Sequence, residues 1–456
     1  MLIVGAGPVG LTLALELARH GVGSLLLERK PRLEQIGSRS IVIARYTLET
    51  FRHLGCDQPM IDRGVVLRRA RTYFRGSELF CVEFPAPAPG EVPRFINLQQ
   101  THTESALLER AERVGELIDV AWSTEVIALE QDQRAVRLTV RTRAGARELR
   151  GDYAIGCDGA HSSLRELLRV DFPGKSFPDR FLIADIRADL PFPNERRFFF
   201  DPPFNPRRQV LIHPQPDREW RIDWQVPSET EAEAERTSGR LDERIRAIVG
   251  DTPYEHVWLT AYRFHQRCAS RYRVGRAFLA GDAAHLMAPF GARGMNSGVE
   301  DARNLGWKLA LVLAGEAAEA LLDTYETERR AAAHENLRVT GATMRFMAPP
   351  TPVHRAVRNA LLRGSLALPA LRRFVNSGKL AEPGVYGDDA GLVGRPVPAD
   401  VCTRRPLRAG FSVGSRREPG GGERTLLIRP DDYVAAELST GENGELERAL
   451  RTSLMR

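Results

Sequence analysis

A six-residue turn near the start of the chain, Gly5-Ala6-Gly7-Pro8-Val9-Gly10, constrains the fold more than any other feature. It follows the apolar triplet Leu2-Ile3-Val4 and opens the largely apolar stretch Leu11–Arg19, so it reads as strand, tight turn and helix. Each glycine has its own task. Gly5 permits the turn, Gly7 lets the backbone approach a pyrophosphate, and Gly10 lets the helix lie close to the strand. The helix N-terminus then offers N–H groups and a partial positive charge to phosphates. His20-Gly21 stops the helix, and Ser24–Leu27 is a buried second strand ending at Glu28, at the right distance to accept hydrogen bonds from an adenosine ribose. This pattern predicts a sheet of the dinucleotide-binding α/β type.

Two further motifs lie downstream. Cys157-Asp158-Gly159-Ala160-His161-Ser162-Ser163-Leu164-Arg165 follows the buried strand Tyr153–Ile155 and precedes a helix. The short strand Ala277–Ala280 runs into Gly281-Asp282, then through Pro289, Gly291, Arg293, Gly294, Met295, Asn296 and Gly298 to the helix Asp301–Gly315. A strand ending in Gly-Asp puts a carboxylate where it can bind a polyol hydroxyl. The glycines after it bare N–H groups that suit a partly anionic heterocycle edge.

Between the motifs, the pattern predicts helices at Tyr46–Leu54, Gln100–Val114, Arg240–Ile248 and Leu321–His334. Glu125–Gly156 has the period-two alternation of an antiparallel ribbon, and Phe198–Phe200, Gln209–His213 and Trp220–Val226 read as strands. On alternation, Arg221, Asp223 and Gln225 share one face and Trp220, Ile222 and Trp224 the other. Nucleotide-binding signatures at both ends of residues 1–304 require two domains interleaved in sequence.

Composition excludes several classes. The 456 residues exceed one ordinary domain, and 43% hydrophobic with 27% charged residues suits a soluble globular protein. No apolar run approaches the ~20 residues of a membrane span, and Leu2-Ile3-Val4 leads straight into a glycine turn, unlike a signal peptide. The five cysteines (Cys56, Cys81, Cys157, Cys268 and Cys402) are scattered and lack metal spacing, which points to a reducing, cytoplasmic setting without disulfides or zinc. The net charge of +6 is arginine mixed with acids, as in Glu231–Arg246, and not a nucleic-acid stripe. There is no second G-x-G-x-x-G for a separate nicotinamide-binding domain, and no Ser-His-Asp spacing.

The three motifs, in this order and spacing, resemble those of the class A flavoprotein aromatic hydroxylases, the family of para-hydroxybenzoate hydroxylase and 3-(3-hydroxyphenyl)propionate hydroxylase. The resemblance covers residues 1–345, and Glu195–Phe204 with Trp220–Val226 is similar to the hydroxyphenylpropionate branch. It implies an α/β protein with a Rossmann-type FAD-binding domain (1–68, 99–168 and 266–345) interleaved with a β-sheet substrate domain (69–98 and 169–265). A C-terminal region (346–456) follows, in which Thr425–Ala435 resembles the last strands of a thioredoxin-like appendage, here a reduced remnant.

The resemblance also implies roles. Gly5, Gly7, Gly10 and Glu28 would hold the ADP half of non-covalent FAD, with Arg39 and Gln100 at the pyrophosphate and ribityl chain. Asp158 would orient Arg165 and serve FAD and NADPH or NADH together. Asp282 would bind the ribityl chain, and Pro289, Gly294, Met295 and Asn296 would line the isoalloxazine. Ala292-Arg293 departs from the Gly-Gln of many members and would make the flavin environment more electropositive. Arg221 matches an arginine near the flavin, and His213 is a candidate substrate contact or phenol base. Tyr262 and His265 are further candidates, and His285 is expected to pack structurally. The implied activity is NAD(P)H-dependent hydroxylation of a small aromatic substrate by O2, through a flavin 4a-hydroperoxide, without a metal. Homodimerisation stays open. The alternatives are a polyketide-tailoring Baeyer–Villiger or epoxidising enzyme of the same fold, and a non-catalytic FAD-binding protein.

Overall fold

Leu2–Val4 is only three residues long, yet it lies in the middle of a six-stranded sheet. The order is Arg273–Val274, Ala277–Leu279, Ala154–Gly156, Leu2–Val4, Ser24–Leu27 and Ile118–Ala121, parallel except for the first pair. Both faces are covered, which is why these strands are apolar throughout. Ile3, Leu26, Ile155 and Phe278 pack under the helices Pro8–Arg19, Gln100–Val114 and Gly294–Leu313. Leu2, Val4, Leu27 and Ala154 pack on Val126, Val136, Leu138 and Val140 of an antiparallel ribbon, Glu125–Gln131, Val136–Thr142 and Gly145–Gly151. This computed structural model describes residues 1–34, 37, 40–349, 351–368, 371, 385–386, 394–398, 401–417, 423–438 and 443–455.

A second sheet of eight strands runs in the order His285–Leu286, Tyr254–Cys268, Gly174–Ala188, Glu219–Val226, Gln209–Pro214, Arg196–Phe200, Arg69–Phe74 and Ser77–Glu83. Its two faces differ. Trp220, Ile222 and Trp224 join Leu182, Ala184 and Ile212 beneath the amphipathic helix Arg240–Val249, which supplies Leu241, Ile245 and Val249. The other face carries Phe74, Phe181, Ile183, Phe198, Phe200, Leu211 and Phe264 and packs on Ala288, Phe290 and Met344. That contact sets the sheet over the glycine-rich loop.

Two helices are longer than their sequence pattern suggests. The helix expected from Asp301 begins at Gly294, and the one expected to end at His334 runs Asp323–Met347. Gly294, Ser297 and Gly298 resemble loop residues, but Gly298 is small to admit a neighbour: a β-carbon there would lie 2.6 Å from Val9 Cγ2. The C-terminal strands Cys402–Pro406, Ser412–Arg417, Glu423–Ile428 and Val434–Leu438 form an antiparallel sheet. The last two strands and the helix Asn443–Ser453 make a β-β-α unit, and the described residues after 400 contain no β-α-β crossover.

The close approach at Gly10 is testable. A β-carbon there would lie 2.1 Å from the Gly5 carbonyl oxygen. Alanine is the better helix former by about 1 kcal/mol, so a net loss isolates the clash. G10A should lose about 3 kcal/mol in urea denaturation. G239A, at a left-handed but uncrowded position (φ +80°), should lose only about 1 kcal/mol. Equal losses would show that the turn has room to relax.

Candidate active site

The glycine turn is braced from two sides and open on a third. Gly5 is left-handed (φ +103°), and a β-carbon on it would lie 2.6 Å from the Cys157 carbonyl oxygen, so the turn sits directly on the Asp158 loop. Glu28 accepts from the Ala6 and Lys30 N–H groups, both at 3.0 Å. A carboxylate has about four lone-pair sites, so this leaves capacity for a ribose hydroxyl. Gly7, the N-cap of Pro8–Arg19, differs from both: a β-carbon on it would meet nothing within 4 Å, and no side chain caps the helix. An open glycine at an uncapped helix start fits a pyrophosphate.

Val9 joins this turn to the downstream motif. Its Cγ2 would lie 2.8 Å from a β-carbon on Gly281 and 2.6 Å from one on Gly298, so it fills a notch that only glycines leave open. The helix Gly294–Leu313 starts beside that notch, also without a side-chain cap. The Asn296 side chain accepts from the Ala44 N–H (3.0 Å) and donates to the Val42 and Ala292 carbonyls (2.9 and 2.6 Å). Its amide therefore holds the helix start to the strand Val42–Ala44, and the backbone N–H groups of Gly294 and Met295 lie in the first turn, where no intrahelical acceptor exists. Pro289 is exposed, and its carbonyl accepts from Ala292, which is left-handed at φ +57°. Arg293 is buried and donates to Asn336 Oδ1. Asp282 lies half-buried in the short 3-10 turn Gly281–Ala283.

Beneath the loop is a buried carboxylate that the sequence reading missed. Asp301 accepts from the Gly281 N–H (2.9 Å), from His285 Nε2 (2.7 Å) and from Arg329 Nε (2.7 Å). Arg329 also donates to the Ser297 carbonyl (3.1 Å) and to the Tyr386 hydroxyl (2.7 Å). Burial opposes ionisation here, yet the charges of His285 and Arg329 win and hold Asp301 below the usual carboxylate range. His285 thus spends one ring nitrogen on the fold and is wholly buried.

The Asp158 loop is held by its own hydroxyls, and Ser162 Oγ links Asp158 to the Arg165 N–H. Asp158 accepts from the Ser162 and Ser163 hydroxyls and the Leu164 N–H, bracing the helix Ser163–Leu167. Arg165 does not donate to it. Its guanidinium donates to the Ala160 and Ala283 carbonyls (2.9 and 3.0 Å) and lies over the Phe172 ring, tying this loop to the Gly-Asp turn. Gln100 accepts from the Ser40 N–H (3.3 Å) and donates to Glu104. Arg39 lies outside the described residues.

On the large sheet, His213, Arg221 and Asp185 pair across three adjacent strands, on the face that looks toward Phe290. Arg221 and Asp185 form a buried two-point ion pair, Nε–Oδ1 2.9 Å and Nη2–Oδ2 3.1 Å. His213 is buried with no partner on Nδ1, and burial, then Arg196 and Arg221, pull its imidazole down to about 3. In the next row Asp223 stands between Leu211 and Ile183, its Oδ1 without a partner. Burial, with Asp185 adding and Arg221 opposing, pushes Asp223 up to about 7. The alternation of this strand already put Asp223 on the correct face; its apolar flanks come from strands far away in sequence. Tyr262 joins the aromatic cluster beside Phe264, whereas His265 bonds Ser176 on the opposite face.

A family model described as "FAD binding domain" matches residues 1–340. The chain is 33% identical over 488 residues to a flavin-dependent monooxygenase of Mycobacteroides abscessus, covering 97% of each. It is 31% identical over 377 residues to a 3-(3-hydroxy-phenyl)propionate/3-hydroxycinnamic acid hydroxylase of Mycolicibacterium smegmatis, covering 82% of this chain but 66% of that relative, just under two thirds. Among solved structures, an anhydrotetracycline hydroxylase from Streptomyces rimosus superposes with a TM-score of 0.76 at 29% identity, covering 100% of this chain and 99% of that one. Among the described residues no group of side chains could hold a metal ion, and no helix is long and apolar enough to cross a membrane.

The Asp301 cluster makes its own prediction. D301N leaves Arg329 buried against a neutral amide and should cost about 3–5 kcal/mol. The folded-state pKa of Asp301 is depressed, so its contribution is present above about pH 4 and is lost as pH falls through the folded value. In denaturant titrations taken from pH 7 into the acid range, the gap between wild type and D301N should therefore narrow as pH falls below about 4. Curves that stay parallel would assign the effect to packing instead.

Proposed function

This chain belongs to the FAD binding domain family, and from that premise we propose that it is an FAD-dependent monooxygenase that uses NADPH or NADH and O2 to hydroxylate a phenolic or similarly flat aromatic substrate. The observation that carries this reading is the meeting of two surfaces. A sheet face bearing Asp223, Arg221 and His213 among phenylalanines lies over a loop that opens into an uncapped helix. Phe181 and Phe290 touch edge to face across that meeting, ring centroids 6.0 Å apart.

In this reading Gly5, Gly7, Gly10 and Glu28 hold the ADP half of FAD. Asp282 binds the ribityl chain, and the N–H groups at Gly294 to Asn296 face the flavin ring. When bound, FAD takes reducing equivalents from the nicotinamide and delivers them to O2. The chain's own work is to orient the substrate, keep water out and move one proton. Phe181, Phe198, Phe264 and Phe290 supply the dry wall. Asp158 and Arg165 brace the Gly-Asp turn from the side on which a nicotinamide nucleotide would approach.

The proton goes to Asp223 in this reading, rather than to His213. A phenol loses its proton near pH 10, and the better-matched base is the one whose pKa lies near working pH. An imidazole held near 3 between two arginines is a poor acceptor; a carboxylate held near 7 with an open oxygen is a good one. Taking the phenol proton pushes electron density to the ortho and para ring carbons, where an electrophilic oxygen is accepted. His213 then serves as a neutral polar contact.

A second reading has its own support. Likenesses that span nearly the whole chain include the Mycobacteroides monooxygenase and an anhydrotetracycline hydroxylase, while the hydroxyphenylpropionate likeness stops short of its relative's full length. A polycyclic phenol, or a tailoring oxygenation such as Baeyer–Villiger or epoxide chemistry, is the form that reading takes.

The test is NAD(P)H oxidation by FAD-loaded protein across phenolic acids and polycyclic phenols, with oxygen uptake and product mass. One compound should stimulate oxidation and gain one oxygen atom. D223N should keep its yellow, non-covalent FAD, lose about 100-fold in kcat, and lose the rise of kcat/KM with pH through about 7. A D223N profile that keeps that rise would remove Asp223 from the proton path. Protein that cannot be loaded with FAD would sink the whole proposal.

A further inference from the structure

Arg196 opens the strand Arg196–Phe200 and, by alternation, shares a face with Phe198 and Phe200. The register, Arg197 opposite Ile212 and Arg196 opposite Ala70, sets it across from His213 on one side and beside a methyl group on the other. The arginines around it are paired. Arg221 holds Asp185, Arg71 holds Glu195 and Glu78, and Arg197, on the opposite face, holds Glu195 and lies over Phe192. Arg196 has no such partner among the described residues. Its Nε is closed off without a hydrogen bond, and burial alone, with no acid opposing it, pulls the guanidinium down to about 10.

Arg196 is half-buried, with its Nε shut off from water and from any acceptor; a guanidinium partly desolvated without an anion carries a cost that a ligand's negative charge would relieve. His213 Nδ1, directly across, also lacks a partner. Two side chains, each with an unpartnered nitrogen, therefore stand side by side on one face of adjacent strands. Asp223 lies two strands over and one two-residue step along, roughly 12 Å away between Cα atoms. The arginine and aspartate side chains narrow that gap to an aromatic ring with a short acid chain.

We propose that Arg196 is a specificity-determining residue that anchors an anionic substituent of the substrate. Its ligand is the carboxylate of a phenolic acid, contacted by His213 and held with its hydroxyl toward Asp223. This rests on the hydroxylase reading above. A phosphate of the nicotinamide nucleotide offers the same charge, and the test separates the two sources.

The probes are 3-(3-hydroxyphenyl)propionate and its primary amide, which differ in charge and little in shape. Binding to the FAD-loaded protein is read from the perturbed flavin absorbance, and turnover from NAD(P)H oxidation. Wild type should prefer the acid. In R196Q the acid should bind roughly 100-fold more weakly, the acid-to-amide preference should collapse toward one, and R196K should recover part of it. The KM for the nicotinamide should move less than about twofold; a large shift there with the acid preference intact would assign Arg196 to the nucleotide and overturn the proposal. Thermal melting of ligand-free R196Q should match or exceed wild type, because an uncompensated charge has been removed. A drop of several degrees would mark Arg196 as structural and overturn it. If only neutral polycyclic phenols stimulate oxidation, the hydroxylase reading stands and this proposal falls. If nothing stimulates oxidation or perturbs the flavin, both fall.

Discussion

The buried Asp301 carboxylate is the contact on which the site depends. Its three donors come from the Gly-Asp turn, from the strand that starts at His285 and from the helix Asp323–Met347. All three are strongest while the carboxylate is ionised, and burial alone would neutralise it. The His285 and Arg329 charges prevent that. The same Arg329 bonds the Ser297 carbonyl in the first turns of the helix that would face the flavin. One charge cluster thus fixes the loop, the helix start and the strand that leads into the large sheet. Val9 in its glycine notch does by shape what Asp301 does by charge, seating the first glycine turn against the last motif.

Much of this was legible in the chain, and the reasons for the rest are physical. Gly5, Gly7 and Gly10 carry their meaning locally, because a turn, an open backbone and a close packing are properties of a few consecutive residues. Trp220 to Gln225 could be sorted into faces because a strand has period two. Asp301 sits amid a helix that is buried along most of its length, so no polar–apolar alternation singles it out. Its partners lie 16 to 28 residues away and on three different elements. The start of that helix was hidden because Gly294 and Gly298 look like loop residues, whereas at Gly298 the small size serves packing against Val9. Arg165 lies beside Asp158 as the motif suggests, but the two carbonyls its guanidinium bonds leave no mark in a sequence.

The large sheet shows how pKa values separate on one surface. His213 and Asp223 are two residues apart in register on neighbouring strands, yet burial drives them in opposite directions, because it disfavours whichever form is charged. The histidine becomes a permanently neutral contact and the aspartate an acceptor near neutral pH. Arg221 pulls Asp223 part of the way back toward an ordinary carboxylate, while Asp185, which holds Arg221 through two hydrogen bonds, pushes it up. Deleting Asp185 would therefore be felt at Asp223 through charge alone.

The C-terminal region belongs to this electrostatic frame rather than hanging beside it. Arg429 donates to Glu328 and Asp431, and Lys308 on the long helix donates to Glu328 and Asn304. Tyr433 donates to Glu300 at 2.9 Å, and Trp307 packs on Phe411. Burial pulls Lys308 down to about 8, with Glu328 opposing, while Lys308 and Arg429 overcome burial to hold Glu328 near 2. A helix that carries Glu300, Asp301, Arg303 and Lys308 in its buried stretch cannot stay ionised without partners, and residues after 400 supply several of them. The residues after 400 thus support the helix Gly294–Leu313 from behind. Their charges satisfy Arg303, Asn304 and Glu328 on the two long helices, so that Asp301 and Arg329 remain free to bond each other and the loop.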